Sequence, residues 1–304
     1  MIYVTGHAIP SADIDSVFSS ILVCGYIENK YKQKTLPINI NKKNRNIEKL
    51  LKTLGYQYPK KYNITKQDVF VLVDHNDPNE SIWAKGINNK IYGIIDHRKK
   101  TGKTKPEKFE IIKDAGACAS IIYQLYKKNK IEISKKQAIL FLYAIISDTY
   151  NLNLNAKKID KQIVKEIYQR YKIKQTQEQI YDIIYKTETQ EKKSIKKLLF
   201  DDLKAYTINN KRIYISNIKI KNKKINKQKI KKEIEKLRRE RTQLWCVNIM
   251  DIEQKTSEII YFGNPKLVKL FKNEKYNKLV SRKNYLVPLI TRIIKNNKND
   301  KNLN

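Results

Sequence analysis

The chain has 304 residues, of which 40% are apolar, and 64 Lys and Arg against 30 Asp and Glu give a formal net charge of +34. This length supplies material for about two domains. No segment approaches the roughly 18 consecutive apolar residues of a membrane helix, and the chain opens with a strand pattern, so we expect a cytoplasmic protein with free thiols.

The first half of the sequence alternates strand and helix patterns. Apolar runs predict strands at residues 2–5, 70–73 and 91–95. Ser16 is the predicted N-cap of a first helix that ends near Tyr26. Further helices are predicted over residues 46–55, 159–171 and 176–187, and from the capping pair Ser134 and Gln137 through the apolar run 138–146. The run 114–120 opens another helix, whose small residues permit close approach to a sheet or ligand.

The second half begins after a polar stretch. Strands are predicted at residues 213–215, 244–249 and 258–262, with helices near 266–271 and 285–294. The predicted fold class is α/β: an N-terminal domain over 1–188 with a mainly parallel sheet flanked by helices, a linker over 189–197, and a smaller α/β domain over 198–304.

Basic residues are spread along the whole chain and become almost continuous only from Lys219 to Arg241. Within that segment Ile230, Ile234 and Leu237 keep helical spacing, which favours an amphipathic helix with a solvated basic face. No aromatic residues are interleaved to stack on bases, so a nucleic-acid partner is less favoured. Whether segment 219–241 binds a polyanion stays open.

All three histidines lie beside acidic residues at the ends of predicted elements. These groups are His7 with Asp13 and Asp15, Asp74 with His75, Asp96 with His97, and a fourth carboxylate, Asp148, at the end of an apolar run. Loops that leave the carboxyl ends of parallel strands converge on one crevice. Each Asp alone is more often a helix cap or turn former, but together the groups predict a site for Mn²⁺, Mg²⁺ or Co²⁺.

Zinc bound by thiolates is not expected. Cys24, Cys118 and Cys246 have no paired spacing and lie in apolar or amphipathic runs, where a reduced, buried thiol is the ordinary interpretation.

Six short motifs resemble a known family. Asp13-Ile14-Asp15-Ser16, Val73-Asp74-His75-Asn76, Ile95-Asp96-His97-Arg98 and Ile146-Ser147-Asp148 resemble the four N-terminal motifs of the DHH phosphoesterase superfamily. Asp202-Leu203-Lys204 and Ser281-Arg282-Lys283 resemble the C-terminal domain of manganese-dependent (family II) inorganic pyrophosphatases and of the related exopolyphosphatase and prune proteins. The resemblance spans nearly the whole chain.

The resemblance implies a two-domain hydrolase of pyrophosphate or short-chain polyphosphate with its active site in the interdomain cleft. It implies that Asp13, Asp15, Asp74, His97 and Asp148 hold two divalent cations, Mn²⁺ first and Mg²⁺ or Co²⁺ as alternatives, with Asp74 and Asp148 bridging. The cations would turn a shared water into a hydroxide nucleophile. The implied substrate-binding residues are Arg98, Lys204, Arg282 and Lys283, and Asp74, Asp148 and Arg98 form the implied catalytic set.

The sequence departs from the family pattern at two of these motifs. His7 stands two residues further from Asp13 than in the pyrophosphatase signature, so its role as a ligand is left open. Arg98 occupies the position of a second His, as in prune-like members, and is expected to clamp phosphate because Arg cannot exchange a proton usefully. His75 is expected to be a hydrogen-bond donor behind the ligands.

Two alternatives remain open. An oligonucleotide phosphodiesterase of the same superfamily would suit the positive charge, but that branch has a glycine-rich motif ending in His, and no His follows His97. A catalytically degenerate polyanion-binding protein would explain the altered first and third motifs. The expected partner is a small anionic substrate, no membrane contact is expected, and the oligomeric state is open, a homodimer included.

Overall fold

The chain divides into two units, Met1–Glu188 and Thr189–Asn304. The computed structural model describes residues 1–7, 13–40, 43–82, 88–101, 104–188, 194–221, 225–237 and 242–297. Within these ranges no helix has the length and apolar character needed to cross a membrane.

The first unit is built on a six-stranded sheet. Its strands are β1 Ile2–Gly6, β2 Thr35–Asn39, β3 Lys60–Lys61, β4 Val69–Val73, β5 Lys90–Asp96 and β6 Phe109–Ile112. Their order is β3-β2-β1-β4-β5-β6, and every pair is parallel. The strand order therefore reverses direction between β1 and β4, which is the point where open parallel sheets place their ligands.

The strands next to the reversal were predicted correctly, and the outer ones were missed. β1, β4 and β5 contain the three predicted apolar runs. β2 contains Pro37, which argues against a strand in a sequence pattern, and β3 has only two residues, both Lys.

The described residues of the first unit also form six α-helices, which pack on the sheet or on one another. They are α1 Ile14–Tyr31, α2 Arg45–Thr53, α3 Cys118–Lys128, α4 Lys135–Asp148, α5 Lys158–Tyr171 and α6 Gln177–Glu188. The predicted capping box of Ser134 and Gln137 is confirmed at the start of α4. The predicted start of α1 was wrong: Asp13 is the N-cap, its Oδ1 accepts from the Ser16 amide at 2.8 Å, and Ser16 lies inside the helix.

Both faces of the sheet are buried. Along β4, Val71 and Val73 face the core formed with α1, α3 and α4, while Phe70 and Leu72 face a smaller core on the other side. Side chains alternate between faces along a strand, so burial on both sides explains why β4 is a continuous apolar run in the sequence.

The second unit contains a mixed five-stranded sheet. Its strands are β7 Leu203–Ile208, β8 Lys211–Ile220, β9 Thr242–Asp251, β10 Thr256–Gly263 and β11 Glu274–Tyr276, in the order β11-β10-β9-β8-β7. Among these five described strands, β8 and β9 are the one parallel pair, and helix α8, Lys227–Leu237, lies between them in the chain. The remaining helices are α7 Ile195–Asp201, α9 Pro265–Val268 and α10 Val287–Asn296.

Two further predictions for this half concern the basic segment and the linker. Ile230 and Ile234 are buried on one side of α8, as the amphipathic pattern of the basic segment predicted, although residues 222–224 and 238–241 lie outside the described ranges. Helix α7 starts at Ile195 after the N-cap Ser194, so the last three residues of the predicted linker 189–197 are helical. Residues 189–193 lie outside the described ranges.

The core of the first unit predicts a contrast between two leucine substitutions. Leu140 on α4 is 0% exposed, whereas Leu36 on β2 is 36% exposed. We expect Leu140→Ala to lower the free energy of unfolding by about 2 to 5 kcal/mol, because a large-to-small change in a packed core leaves a cavity. Leu36→Ala should cost less than about 1 kcal/mol. Urea denaturation of both variants measures the difference, and equal losses would contradict the assigned core.

Candidate metal centre

The candidate site lies at the carboxyl ends of the three central strands of the first unit. Asp13 and Asp15 stand at the start of α1 beyond β1, Asp74 directly follows β4, and His97 directly follows β5. Among the described residues, one ligand atom from each of Asp15, Asp74 and His97 lies within 4.8 Å of the other two. The topology therefore brings together groups that are far apart in the sequence.

His97 has the geometry of a metal-binding imidazole. Its Nδ1 donates to the Ala115 carbonyl at 3.0 Å, which leaves Nε2 as the coordinating nitrogen once the ring is neutral. Nε2 lies 3.2 Å from Asp74 Oδ1 and 3.5 Å from Asp148 Oδ2. It is buried and, in the part of the chain that the structure describes, has no aligned hydrogen-bond partner. A nitrogen so placed among carboxylates fits a divalent cation.

Asp15 is buried and held by the N-terminus of a different helix. Its Oδ2 accepts from the Cys118 amide at 2.7 Å, and its Oδ1 accepts from the Ala119 amide at 3.2 Å and from Ser19 Oγ at 2.8 Å. The N-cap of α3, Ala117, has no side-chain acceptor of its own. Asp15 therefore caps α3 and is fixed by it.

Asp74 is 1% exposed and adopts a left-handed backbone conformation, with φ of 62°. A non-glycine residue in this region is uncommon and concentrates at functional sites. Its Oδ2 accepts from Ser16 Oγ, and Arg98 Nη2 lies 3.2 Å from both of its carboxylate oxygens. The sequence predicted Arg98 as a phosphate clamp but did not predict that its guanidinium contacts a proposed metal ligand.

The loop that carries Arg98 is fixed by hydrogen bonds that are buried or partly buried. Asn76 Nδ2 donates to Asp96 Oδ2 at 2.5 Å and to the Lys99 carbonyl at 3.1 Å, and Asn76 Oδ1 accepts from the Thr101 amide at 2.7 Å. Asp96 in turn accepts from the Arg98 amide at 3.2 Å. Asp96 and Asn76 therefore hold the loop that carries Arg98.

The other histidines differ from His97. His75 uses both ring nitrogens, Nδ1 with the Val73 carbonyl at 2.9 Å and Nε2 with Ser81 Oγ at 2.6 Å, and burial lowers its pKa to about 4. The His75 ring is therefore neutral near pH 7, and hydrogen bonds occupy both of its nitrogens. His7 is 6% exposed, and its ring centroid lies 6.1 Å from that of His75 in an edge-on arrangement. Residues 8–12, which separate His7 from Asp13, lie outside the described ranges.

The carboxylates of the site repel one another. Burial raises the pKa of Asp15, Asp13 and Asp148, that of Asp148 to about 7, and the negative charge of Asp74 raises all three further. Burial would raise the pKa of Asp74 too, but Arg98 and His97 hold it below its usual value. Burial lowers the pKa of His97, yet Asp74 and Asp148 raise it to about 10. Bound divalent cations would relieve this repulsion.

The predicted substrate-binding cations of the second unit lie on two elements. Lys204 is a half-buried residue of β7, and Arg282 and exposed Lys283 open the π-helical turn Arg282–Leu286 that precedes α10. Arg282 Nη2 lies 2.7 Å from Asp202 Oδ1, and its Nη1 donates to the Asp202 carbonyl at 2.8 Å. Asn217 Nδ2 also donates to Asp202, at 3.0 Å. The sequence did not predict the pair of Arg282 and Asp202.

The supporting groups of the site were mostly missed from the sequence. Ser16, Ser19 and the backbone of residues 115–119 contact the candidate ligands directly. The only sequence signal was the run of small residues over 114–120, which predicted a close approach of this backbone to a sheet or ligand. Backbone groups have no sequence signature of their own.

Comparison with known proteins finds two family models and similar full-length relatives. The DHH family, N-terminal domain model matches residues 1–145, and the DHHA2 domain model matches residues 182–293. A manganese-dependent inorganic pyrophosphatase of Methanocaldococcus jannaschii is 27% identical, over 96% of this chain and 99% of that protein. A probable manganese-dependent inorganic pyrophosphatase of Lactiplantibacillus plantarum is 29% identical, over 95% of this chain and 97% of that protein.

A solved structure agrees with these matches. The crystal structure of a candidate family II inorganic pyrophosphatase from Methanococcus jannaschii superposes with a TM-score of 0.75 and 26% sequence identity, covering 97% of this chain and 100% of that chain. Together the two family models and the full-length relatives account for both units. The chain therefore belongs to the DHH family, in the two-domain branch with a DHHA2 domain that includes the manganese-dependent inorganic pyrophosphatases.

Proposed function

We propose that this protein hydrolyses inorganic pyrophosphate to phosphate with the help of bound divalent cations, Mn²⁺ first among them. The observation that carries this proposal is the cluster of Asp15, Asp74 and His97 at the sheet reversal, with His97 Nε2 aimed into it. The names of the full-length relatives support both the substrate and the metal.

The proposed metal ligands are Asp13, Asp15, Asp74, His97 and Asp148, and His7 is a sixth candidate ligand. When bound, divalent cations lower the pKa of water and neutralise phosphoryl oxygens. The chain itself orients these groups: Ser16 and Arg98 fix Asp74, α3 fixes Asp15, and the Ala115 carbonyl fixes the His97 ring.

Arg98 is the proposed phosphate contact of the first unit. Its side chain is 27% exposed, so it borders both Asp74 and solvent. A guanidinium carries five N–H donors in a planar fork, more than one carboxylate accepts, and it stays charged at any working pH. It therefore binds and orients an anionic phosphoryl group but takes no part in proton transfer.

Lys204, Arg282 and Lys283 of the second unit, proposed here as its substrate-binding domain, are the remaining proposed phosphate contacts. This assignment rests on motif position, and the fixed orientation of Arg282 on Asp202 supports it, because a held guanidinium loses less rotamer freedom on binding. We place the reaction in the cytoplasm, where the three buried, unpaired cysteines would stay reduced.

The proposed function predicts the behaviour of two aspartates at opposite ends of β4. Asp74→Asn should lower the rate of phosphate release from pyrophosphate by more than about a hundredfold, because it removes a charged ligand at the centre of the site. Asp68→Asn, which changes the half-buried carboxylate before the same strand, should keep the wild-type rate. Phosphate release with Mn²⁺, Mg²⁺, Co²⁺ or chelator measures both variants.

The same assay separates the alternative substrates. Pyrophosphate, tripolyphosphate, longer polyphosphate and a short oligonucleotide are compared with wild-type protein under each metal. A preference for longer chains would assign the exopolyphosphatase activity, and oligonucleotide cleavage would assign the phosphodiesterase. A folded protein that is silent on every substrate would contradict the proposed hydrolysis and leave polyanion binding as the function.

Metal binding should release protons, so its affinity should rise with pH. The pKa of His97 is raised to about 10 and that of Asp148 to about 7, so both are largely protonated below pH 7 and His97 remains so above it. The apparent Kd for Mn²⁺ should fall about tenfold per pH unit above about pH 7 and more steeply below it. Electron paramagnetic resonance of free Mn²⁺ between about pH 6 and 8 measures this, and a pH-independent Kd would contradict it.

Loss of a second-unit cation should impair substrate binding without releasing metal. Arg282→Ala and Lys204→Ala should each raise KM about tenfold or more, because a charge-assisted hydrogen bond to phosphate is lost. Their Kd for Mn²⁺ should stay at the wild-type value. Arg292→Ala, on the exposed side of α10, is the control for a general loss of positive charge. Unchanged KM in the folded Arg282 and Lys204 variants would refute these assignments.

A further inference from the structure

One short backbone segment, residues 115–119, contacts two of the proposed metal ligands. The Ala115 carbonyl accepts from His97 Nδ1 at 3.0 Å, and the amides of Cys118 and Ala119 donate to Asp15 at 2.7 and 3.2 Å. Any displacement of this segment moves the imidazole and the carboxylate together, because both are tied to the same stretch of backbone.

The segment is itself anchored by a buried carboxylate on another helix. Asp160 of α5 is 0% exposed. Its Oδ2 accepts from the Gly116 amide at 2.8 Å and its Oδ1 accepts from Ser120 Oγ at 2.5 Å. The Lys157 amide, at the start of α5, also donates to Oδ2 at 2.6 Å. Asp160 thus links the start of α5 to Gly116, just before α3, and to Ser120, inside α3.

Gly116 packs so closely against its neighbours that no side chain fits at this position. A Cβ atom at Gly116 would lie 2.5 Å from Asp160 Oδ2 and 2.7 Å from Thr149 Cγ2. Thr149 follows Asp148 directly and is fully buried. The segment is therefore packed between Asp160 and the residue next to a third proposed ligand, and only glycine allows both contacts.

We propose that Asp160 is a positioning residue for the metal centre: it holds the 115–119 backbone in the place from which that backbone orients His97 and Asp15. This inference rests on the proposed function, since it takes His97 and Asp15 as metal ligands. Asp160 does not touch either ligand, and it acts on both through the Gly116 amide and Ser120. Groups that orient metal ligands typically change metal affinity by about ten- to a hundredfold.

The test is Mn²⁺ binding to purified full-length protein, followed by electron paramagnetic resonance of the free ion. Asp160→Ala should raise the Kd for Mn²⁺ about tenfold or more. Saturating Mn²⁺ should restore most of kcat on pyrophosphate, because the ligands themselves are intact. Asp160→Asn should bind Mn²⁺ nearly as well as wild type, since the amide oxygen can accept from both backbone amides while Ser120 accepts from the new NH₂ group.

Glu166→Ala is the matched control. Glu166 lies on the same helix as Asp160 and also contacts α3, through Lys127 Nζ at 2.6 Å and Tyr123 Oη at 3.1 Å, but in the middle and last turn of α3, away from residues 115–119. A structural role alone would make both alanine variants less stable and leave both Kd values unchanged. We expect only the Asp160 variant to lose Mn²⁺ affinity.

Several results would contradict the inference. A folded Asp160→Ala protein with wild-type Kd overturns the inference, and so does an equal loss of affinity in Glu166→Ala. If Asp160→Ala does not fold, Ser120→Ala replaces it, because it removes one bond and leaves both backbone amides paired. That variant should raise the Kd severalfold, and an unchanged value overturns the inference. Wild-type protein that binds no Mn²⁺ would instead refute the proposed function.

Discussion

The burial of several carboxylates at one edge of a parallel sheet is the constraint on which the first unit depends. Asp15 and Asp74 are each 1% exposed, and their charges repel those of Asp13 and Asp148. Uncompensated buried charge is costly, so the surrounding chain must supply donors and cations. The hydrogen bonds from Ser19, Cys118 and Ala119 to Asp15, and the contact of Arg98 with Asp74, meet part of this demand.

Much of the fold followed from hydrophobic pattern, because the central strands are buried on both faces and appear as continuous apolar runs. The strands β2 and β3 could not be predicted from this pattern, because β2 contains Pro37 and β3 consists of two lysines. The start of α1 was misplaced because Ser16 was taken as its N-cap and Asp13 as a metal ligand, although an Asp considered alone is more often a helix cap. One carboxylate can serve both roles, since capping occupies only part of its accepting capacity.

The candidate site was predictable to the extent that its groups are side chains at strand ends. Parallel topology brings strand-following residues together, so Asp74 and His97 could be grouped before any coordinates were known. The groups that orient them could not be predicted. Backbone carbonyls and amides such as those of Ala115 and Cys118 occur at nearly every position of any chain, and Asp160 is separated from Asp15 by nearly half of the whole sequence.

Arg98 and Arg282 show a common arrangement that only coordinates could reveal. Each guanidinium is paired with an aspartate of its own unit, Asp74 in one case and Asp202 in the other. Their side chains are 27% and 14% exposed, so both are partly withdrawn from solvent. Such pairing reduces the conformational freedom of a long side chain, and a donor oriented before the substrate arrives binds phosphate at a lower entropic cost.

The hydrogen bonds of Asp15 also limit how it can hold a cation. A carboxylate has about four lone-pair positions, and among the described residues Asp15 Oδ1 accepts two hydrogen bonds and Oδ2 accepts one. The remaining position is on Oδ2, so Asp15, as a proposed ligand, can bind a cation through one oxygen only. Calcium often completes its large shell with a bidentate carboxylate, whereas smaller octahedral cations take one oxygen from each ligand. As a proposed ligand held by the N-terminus of α3, Asp15 therefore suits small octahedral cations better than calcium.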